Sequence, residues 1–148
     1  MDLKQRLEAE LKEAMKASNQ VKKITIRMVL TNLKFAQVEK GSALTENEII
    51  TLIQKEIKGR RETILEAEKI HRLDIINENQ EEIRILESYL PEQFTETEIQ
   101  NLAKLTITEL NANSLNDMGK VMKSLLPRIQ GRAPNDLVSK IVRQLLNG

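Results

Sequence analysis

Apolar residues return every three or four positions through nearly the whole of this 148-residue chain, which gathers them on one face of a helix instead of alternating them across a strand. A chain patterned in this way buries its apolar surface by packing helices on helices. Leu3, Leu7, Leu11 and Met15 repeat behind Asp2 as an N-cap and predict a first helix over about residues 2–18. From Val21 to Glu39, the residues Ile24, Ile26, Met28, Val29, Leu30, Leu33, Phe35, Ala36 and Val38 occupy nearly the whole circumference, and Gly41 follows as a stop. That segment predicts a central, mostly buried helix. Arg27 stands inside its apolar run, so a partly buried guanidinium held by a carboxylate such as Glu56 or Glu82 is expected. Thr45 and Glu48 form a capping box before a long third helix over about residues 46–70, and Asp74 can cap a fourth bearing Ile76, Ile83, Leu86 and Leu90.

Leu90-Pro91-Glu92-Gln93-Phe94 interrupts the pattern, because Pro91 cannot continue a helix and drives Leu90 toward an extended conformation. The domain boundary is expected here. Thr95 and Glu98 make a second capping box ahead of Ile99, Leu102, Ala103 and Leu110. Ser114 and Asp117 open a sixth helix with Met118, Val121, Met122 and Leu125, which should end or kink at Pro127. Pro134 suits the first position of a last helix carrying Leu137, Val138, Ile141, Val142 and Leu145. With Phe35, Phe94 and Tyr89 as its aromatics and no Trp, the chain must build an aliphatic core. The expected fold is all-α: an N-terminal bundle of about four helices over residues 1–90, then a small three-helix domain over residues 95–148.

Chemistry is sparse. No Cys is present, which removes disulfides, thiolate metal sites and Cys nucleophiles together. His71 is the single histidine, and Glu68 precedes it at Glu-x-x-His spacing, but a helical di-iron site needs a second such pair. A surface or helix-end role for His71 is the simpler reading. Phosphate loops, dinucleotide turns and Gly-x-Ser-x-Gly elbows are missing from the sequence. No catalytic residue, metal or cofactor is therefore assigned, and a protein that acts by binding a partner is expected. The start of the chain has no apolar signal region and no run nears the roughly 20 apolar residues of a membrane span, so a cytoplasmic chain with no membrane partner is expected.

Lys plus Arg total 23 against 22 for Asp plus Glu, so only the distribution of charge is informative. From Asp117 onward the bases Lys120, Lys123, Arg128, Arg132, Lys140 and Arg143 face the acids Asp117 and Asp136, six against two. Lys120 and Lys123 fall opposite one apolar stripe, and Lys140 and Arg143 opposite the next, so both helices present bases outward. Any amphipathic helix does this to some extent; a surface for RNA phosphates is the sharper reading, with Gly119 and Gly131 allowing close backbone approach. Lys55, Lys58, Arg60 and Arg61 around Gly59 form a second basic patch, read either as a solvated face or as a phosphate contact.

Those blocks also carry a resemblance. The stretch from Ser114 through Asp117, Met118, Gly119, Lys120, Val121, Met122 and Lys123, followed by Gly131-Arg132-Ala133 and Leu137-Val138-Ser139, resembles the C-terminal signature of YqeY proteins. Ile26-Arg27-Met28, Gln54-Lys55-Glu56-Ile57 with Arg60-Arg61, and Tyr89-Leu90-Pro91-Glu92-Gln93 are similar to other blocks of that family. Residues from about 95 to 148 are also similar to the tail domain of the GatB component of the glutamine-dependent aspartyl/glutamyl-tRNA amidotransferase, through Gly119, Val121, Met122, Lys123, Gly131 and Ala133. In that enzyme the tail grips tRNA while amide transfer belongs to other domains, which this sequence does not contain. The resemblance implies a tRNA-binding or tRNA-associated accessory protein, with an aminoacyl-tRNA synthetase or amidotransferase as a candidate protein partner. Two alternatives stand beside it: a component of a carbon-nitrogen ligase with glutamine as amido donor, and a helical protein-protein adaptor, which an exposed apolar patch would favour.

Overall fold

The computed structural model describes residues 2–147, and among these the chain is all-α, with seven α-helices and no strand. In order they are α1 (Leu3–Lys16), α2 (Gln20–Lys40), α3 (Glu46–Lys69), α4 (Leu73–Glu87), α5 (Glu96–Leu110), α6 (Met118–Ile129) and α7 (Asn135–Asn147), with a 3₁₀ turn at Leu115–Asp117 leading into α6. The chain divides into two compact units, Met1–Leu90 and Pro91–Gly148.

Helix starts follow the local chemistry. The Asp2 carboxylate accepts the Gln5 amide at 2.8 Å, the Thr45 hydroxyl accepts that of Glu48 at 3.2 Å, and the Thr95 hydroxyl accepts that of Glu98 at 3.2 Å. Each third residue reaches back to its cap's own amide, so all three are full capping boxes. Gly41 ends α2 at φ 83°, a left-handed conformation that suits a residue without Cβ.

Three terminal details differ from the sequence expectation. Asp74 is not the cap of α4: the helix opens at Leu73, and Asp74 sits in its first turn, held by Arg72 at 3.0 and 2.9 Å. Pro127 does not end α6, which runs on to Ile129. The missing Pro127 amide strips Lys123 of one acceptor bond, but both residues are exposed and water can take its place. Pro134 stands just before α7, where its carbonyl accepts the Val138 amide at 3.1 Å.

In the first unit Leu7, Ile26, Val29, Leu33, Ile53 and Leu86 are fully buried, joined by Ile57 and Tyr89. Each such aliphatic side chain contributes roughly 1.5–3 kcal/mol of burial free energy. The Tyr89 hydroxyl donates to Glu10 at 3.0 Å, and Arg6 lies over the ring at 4.8 Å while donating to Glu10 at 2.8 Å and to the Ser88 carbonyl at 3.0 Å, which fastens α1 to the end of α4. In the second unit Ile99, Ala103, Val121, Leu125, Val138 and Val142 are fully buried from α5, α6 and α7.

The α2 helix departs most from expectation. Ile26, Val29 and Leu33 form its core face, but Ile24, Met28, Phe35 and Val38 are 52%, 46%, 69% and 75% exposed. It is therefore half-buried, with a second apolar face left open. Arg27 is exposed too, its guanidinium 3.8 Å from the Met15 sulfur. Glu56 and Glu82 do hold a buried arginine, but it is Arg60.

Candidate functional site

Among the basic residues of the second unit, structure separates those that are committed from those that are open. Arg128 on α6 donates to Glu109 and, at 3.1 Å, to the Thr106 hydroxyl, so it braces α6 against α5. Arg132 is more tightly used. Its Nε donates to the Glu92 carbonyl at 2.8 Å, its guanidinium lies 3.9 Å above the Phe94 ring, and its own carbonyl accepts the Phe94 amide at 2.7 Å. Gly131, at φ 74°, makes the adjoining turn, and its carbonyl accepts from Gln93 at 3.2 Å. Arg132 and Gly131 thus clamp the 91–94 segment onto the second unit. Lys120, Lys123, Lys140 and Arg143 are exposed on the outer sides of α6 and α7, and no carboxylate among the described residues pairs with them. Gly119, in the first turn of α6, has nothing within 4 Å of where a Cβ would stand.

The acids of this unit are placed differently. Glu96 and Glu98 lie in the first turn of α5, Asp117 precedes α6 and accepts the Asn113 amide at 3.0 Å, and Asp136 lies in the first turn of α7. At helix N-termini their charge meets the partial positive end of the helix dipole. Glu98 is held below the usual carboxylate range, first by the Thr95 amide and hydroxyl and further by nearby Arg132. Lys120, Lys123, Lys140 and Arg143 are left without a carboxylate partner among the described residues, whereas Arg128 has Glu109.

The second basic patch comes apart in the structure. Arg60 is buried, donating to Glu82 at 3.0 Å and to Glu56 at 2.7 Å, with its third nitrogen 3.3 Å from the Met28 sulfur. It cannot reach a phosphate without breaking those pairs. Arg61 pairs with Glu87 at 3.4 Å, and Lys58 is also engaged. Lys55 is exposed, with no ion pair among the described residues.

Lys55 instead belongs to a feature that the sequence pattern does not announce. A groove of about 940 Å³ runs between α2 and α3, with Met28 and Ala36 on one wall, Leu44, Leu52 and Lys55 on the other, and Arg60 with Glu56 and Glu82 at its floor. The Asn32 side-chain amide donates to Glu56, completing the floor network. Gly59 lines the groove with nothing within 4 Å of a Cβ position, which leaves a notch in its wall. The signal available beforehand was angular: Ile24, Met28, Phe35 and Val38 fall on one side of the α2 helix and Ile26, Val29 and Leu33 on the other.

His71 follows α3 as an exposed residue at φ 55°, its amide donating to the Glu68 carbonyl at 3.3 Å. No group of three or more His, Cys, Asp or Glu residues among the described residues is arranged to hold a metal, and no described helix is long and apolar enough to cross a membrane.

Comparison with known proteins matches residues 4–146 to the model of the YqeY family, described as Yqey-like protein. Relatives that it matches include proteins named "Altered inheritance of mitochondria protein 41, mitochondrial". The protein of that name from Pyrenophora tritici-repentis is 31% identical over 95% of this chain and 79% of its own length. Those from Clavispora lusitaniae and Kluyveromyces lactis are 29% and 31% identical over 91% and 93% of this chain, and over 82% and 79% of their own lengths. Their mitochondrial names overturn the expectation of a cytoplasmic protein. The missing apolar run bears only on secretion and membrane insertion, whereas mitochondrial leaders are amphipathic and Arg-rich and need no such run. With the family model spanning both units, the chain belongs to the YqeY family.

Proposed function

We propose that the protein is a tRNA-associated accessory factor whose second unit meets the RNA backbone through Lys120, Lys123, Lys140 and Arg143. One observation carries this reading: these four cations are exposed with no carboxylate partner among the described residues, while the acids around them are drawn to helix N-termini or to Arg128. Phosphate contact positions an RNA without reading its bases, and the aromatic Phe94 is occupied by Arg132, so shape and backbone would govern recognition. Arg128 and Arg132, grouped with the others in sequence, act here as internal braces. The ligase reading is supported by the resemblance of residues 95–148 alone, and no residue is assigned a catalytic role in it.

A mobility-shift titration with total tRNA across salt concentrations tests the proposal. Four phosphate contacts give a log-log slope of about −3, at roughly −0.7 to −0.9 per contact. Replacing all four cations by Ala should flatten that slope and abolish the shift while leaving the circular dichroism unchanged. Unchanged affinity and slope in the fourfold variant would remove this surface from consideration.

A further inference from the structure

We propose that the exposed face of α2 and the groove beside it dock an amphipathic helix of a partner protein whose flanks are acidic. Ile24, Met28, Thr31, Phe35 and Val38 follow one another at alternating spacings of four and three, which sets them in one line along the helix. All five are exposed. The line covers about 21 Å at 1.5 Å per residue, the length of a partner helix of about 15 residues. Single exposed apolar residues are ordinary, but four of them in one line over four turns, with Thr31 between Met28 and Phe35, mark a candidate interaction surface. The groove adds depth to that row, because Met28 belongs to both and the Gly59 notch can seat an anchoring side chain.

Charge selects the occupant. Lys23, Arg27 and Lys34 follow the row on the side away from the groove, and Lys55 stands across it; no carboxylate among the described residues pairs with any of the four. The acids that line the groove are committed: Glu48 to Lys40 at 2.5 Å, and Glu56 and Glu82 to Arg60. Open charge along the row is therefore mainly positive, Lys23, Arg27, Lys34 and Lys55 against the exposed Glu39 at its C-terminal end. The floor, with two carboxylates against one guanidinium, is net negative, so acids suit the flanks of the partner helix and apolar or neutral side chains suit its centre. A second copy fits less well. Antiparallel pairing of two α2 rows about a two-fold axis would gather Arg27 and Lys34 of both copies on the same side, where like charges repel.

The inference stands on the first unit and is independent of the RNA reading. Its test uses the full-length chain and two labelled synthetic helices of about 15 residues with the same leucine row, one flanked by glutamates and one by lysines. Fluorescence anisotropy should show the glutamate helix binding at least about tenfold more tightly than the lysine helix. Phe35→Asp should abolish that binding. Arg27→Glu with Lys34→Glu should reverse the preference. Because these side chains are exposed, the variants should keep the wild-type circular dichroism. Equal binding of the two helices, or undiminished binding by F35D, would overturn the proposal. So would sedimentation showing a wild-type dimer that F35D converts to monomer, since the occupant would then be a second copy.

Discussion

At the scale of single residues, Arg60 decides most about the first unit. Its side chain is about one-tenth exposed and its two carboxylate partners are nearly as enclosed, so removing the guanidinium leaves two facing negative charges short of solvent. Arg60→Met is expected to cost about 3 kcal/mol, seen as a lower urea midpoint at unchanged m-value. Adding Glu56→Gln and Glu82→Gln to that variant should recover much of the loss. A single-variant cost below about 1 kcal/mol would mean that the three groups are not energetically coupled. Sequence reading named the right carboxylates but the wrong arginine, for an identifiable reason. Arg27 has apolar neighbours in the chain, whereas Arg60 has them in space: with Ile53, Ile57 and Ile64 it lies on one side of α3, and only helical angle reveals that. Tyr89 and Glu10 make a second coupled pair. Burial, then the bond to Glu10, pushes the phenol up. Burial works against ionising Glu10, but Arg6, Tyr89 and Lys22 together hold its carboxyl below the usual range.

At the scale of elements, the capping boxes were legible because their chemistry is local: Thr45 with Glu48 and Thr95 with Glu98 need only a spacing of three. The open face of α2 was not, since an apolar row reads the same whether its cover belongs to the same chain or to another. The Glu48 carboxyl is held at about 2, against 4.5 in the unperturbed group, first by Lys40 and then by the Thr45 amide and hydroxyl. A depressed folded pKa gives stability that is present above the unfolded value and lost as pH falls through the folded one. Glu48→Gln keeps an acceptor for the Thr45 amide but does not titrate. The difference in thermal midpoint between wild type and E48Q should therefore shrink as pH drops from about 4.5 to about 2. A difference that stays constant across that window would contradict the assignment. Two glycines should respond with opposite signs. Gly59 is helical with open space around it, so Gly59→Ala should stabilise by up to about 1 kcal/mol. Gly41 holds φ 83°, and Gly41→Ala should destabilise by about 1 kcal/mol.

At the scale of the whole molecule, the helical class and the Leu90–Pro91 interruption were readable, because periodicity and proline act locally. The allegiance of the interrupting segment was not. The sequence placed the second domain from residue 95, where the Thr95 capping box begins a helix. In the structure, residues 92–94 are fastened to the turn before α7, some forty positions later in the chain, by contacts that no local pattern announces. Phe94 donates its amide to the Arg132 carbonyl at 2.7 Å and lies under its guanidinium, Glu92 accepts from Arg132, and Gln93 donates to Gly131. The same contacts engage Arg132 and Gly131, grouped in sequence with the cations proposed to meet RNA, within the second unit. A fragment of residues 91–148 should therefore fold more stably than one of residues 95–148. Three hydrogen bonds and a cation–π contact separate the two, each worth about 0.5–1.5 kcal/mol. Partly exposed contacts count toward the lower end, so a difference of about 2 kcal/mol is expected in parallel urea titrations. Arg132→Ala provides the control: it removes the bond to Glu92 and the ring contact but keeps the two bonds accepted by the Arg132 and Gly131 carbonyls, so it should close about half of the gap and change the shorter fragment little. Equal stability of the two fragments would show that the clamp contributes nothing to folding, and Arg132 would return to the set of cations free to meet RNA.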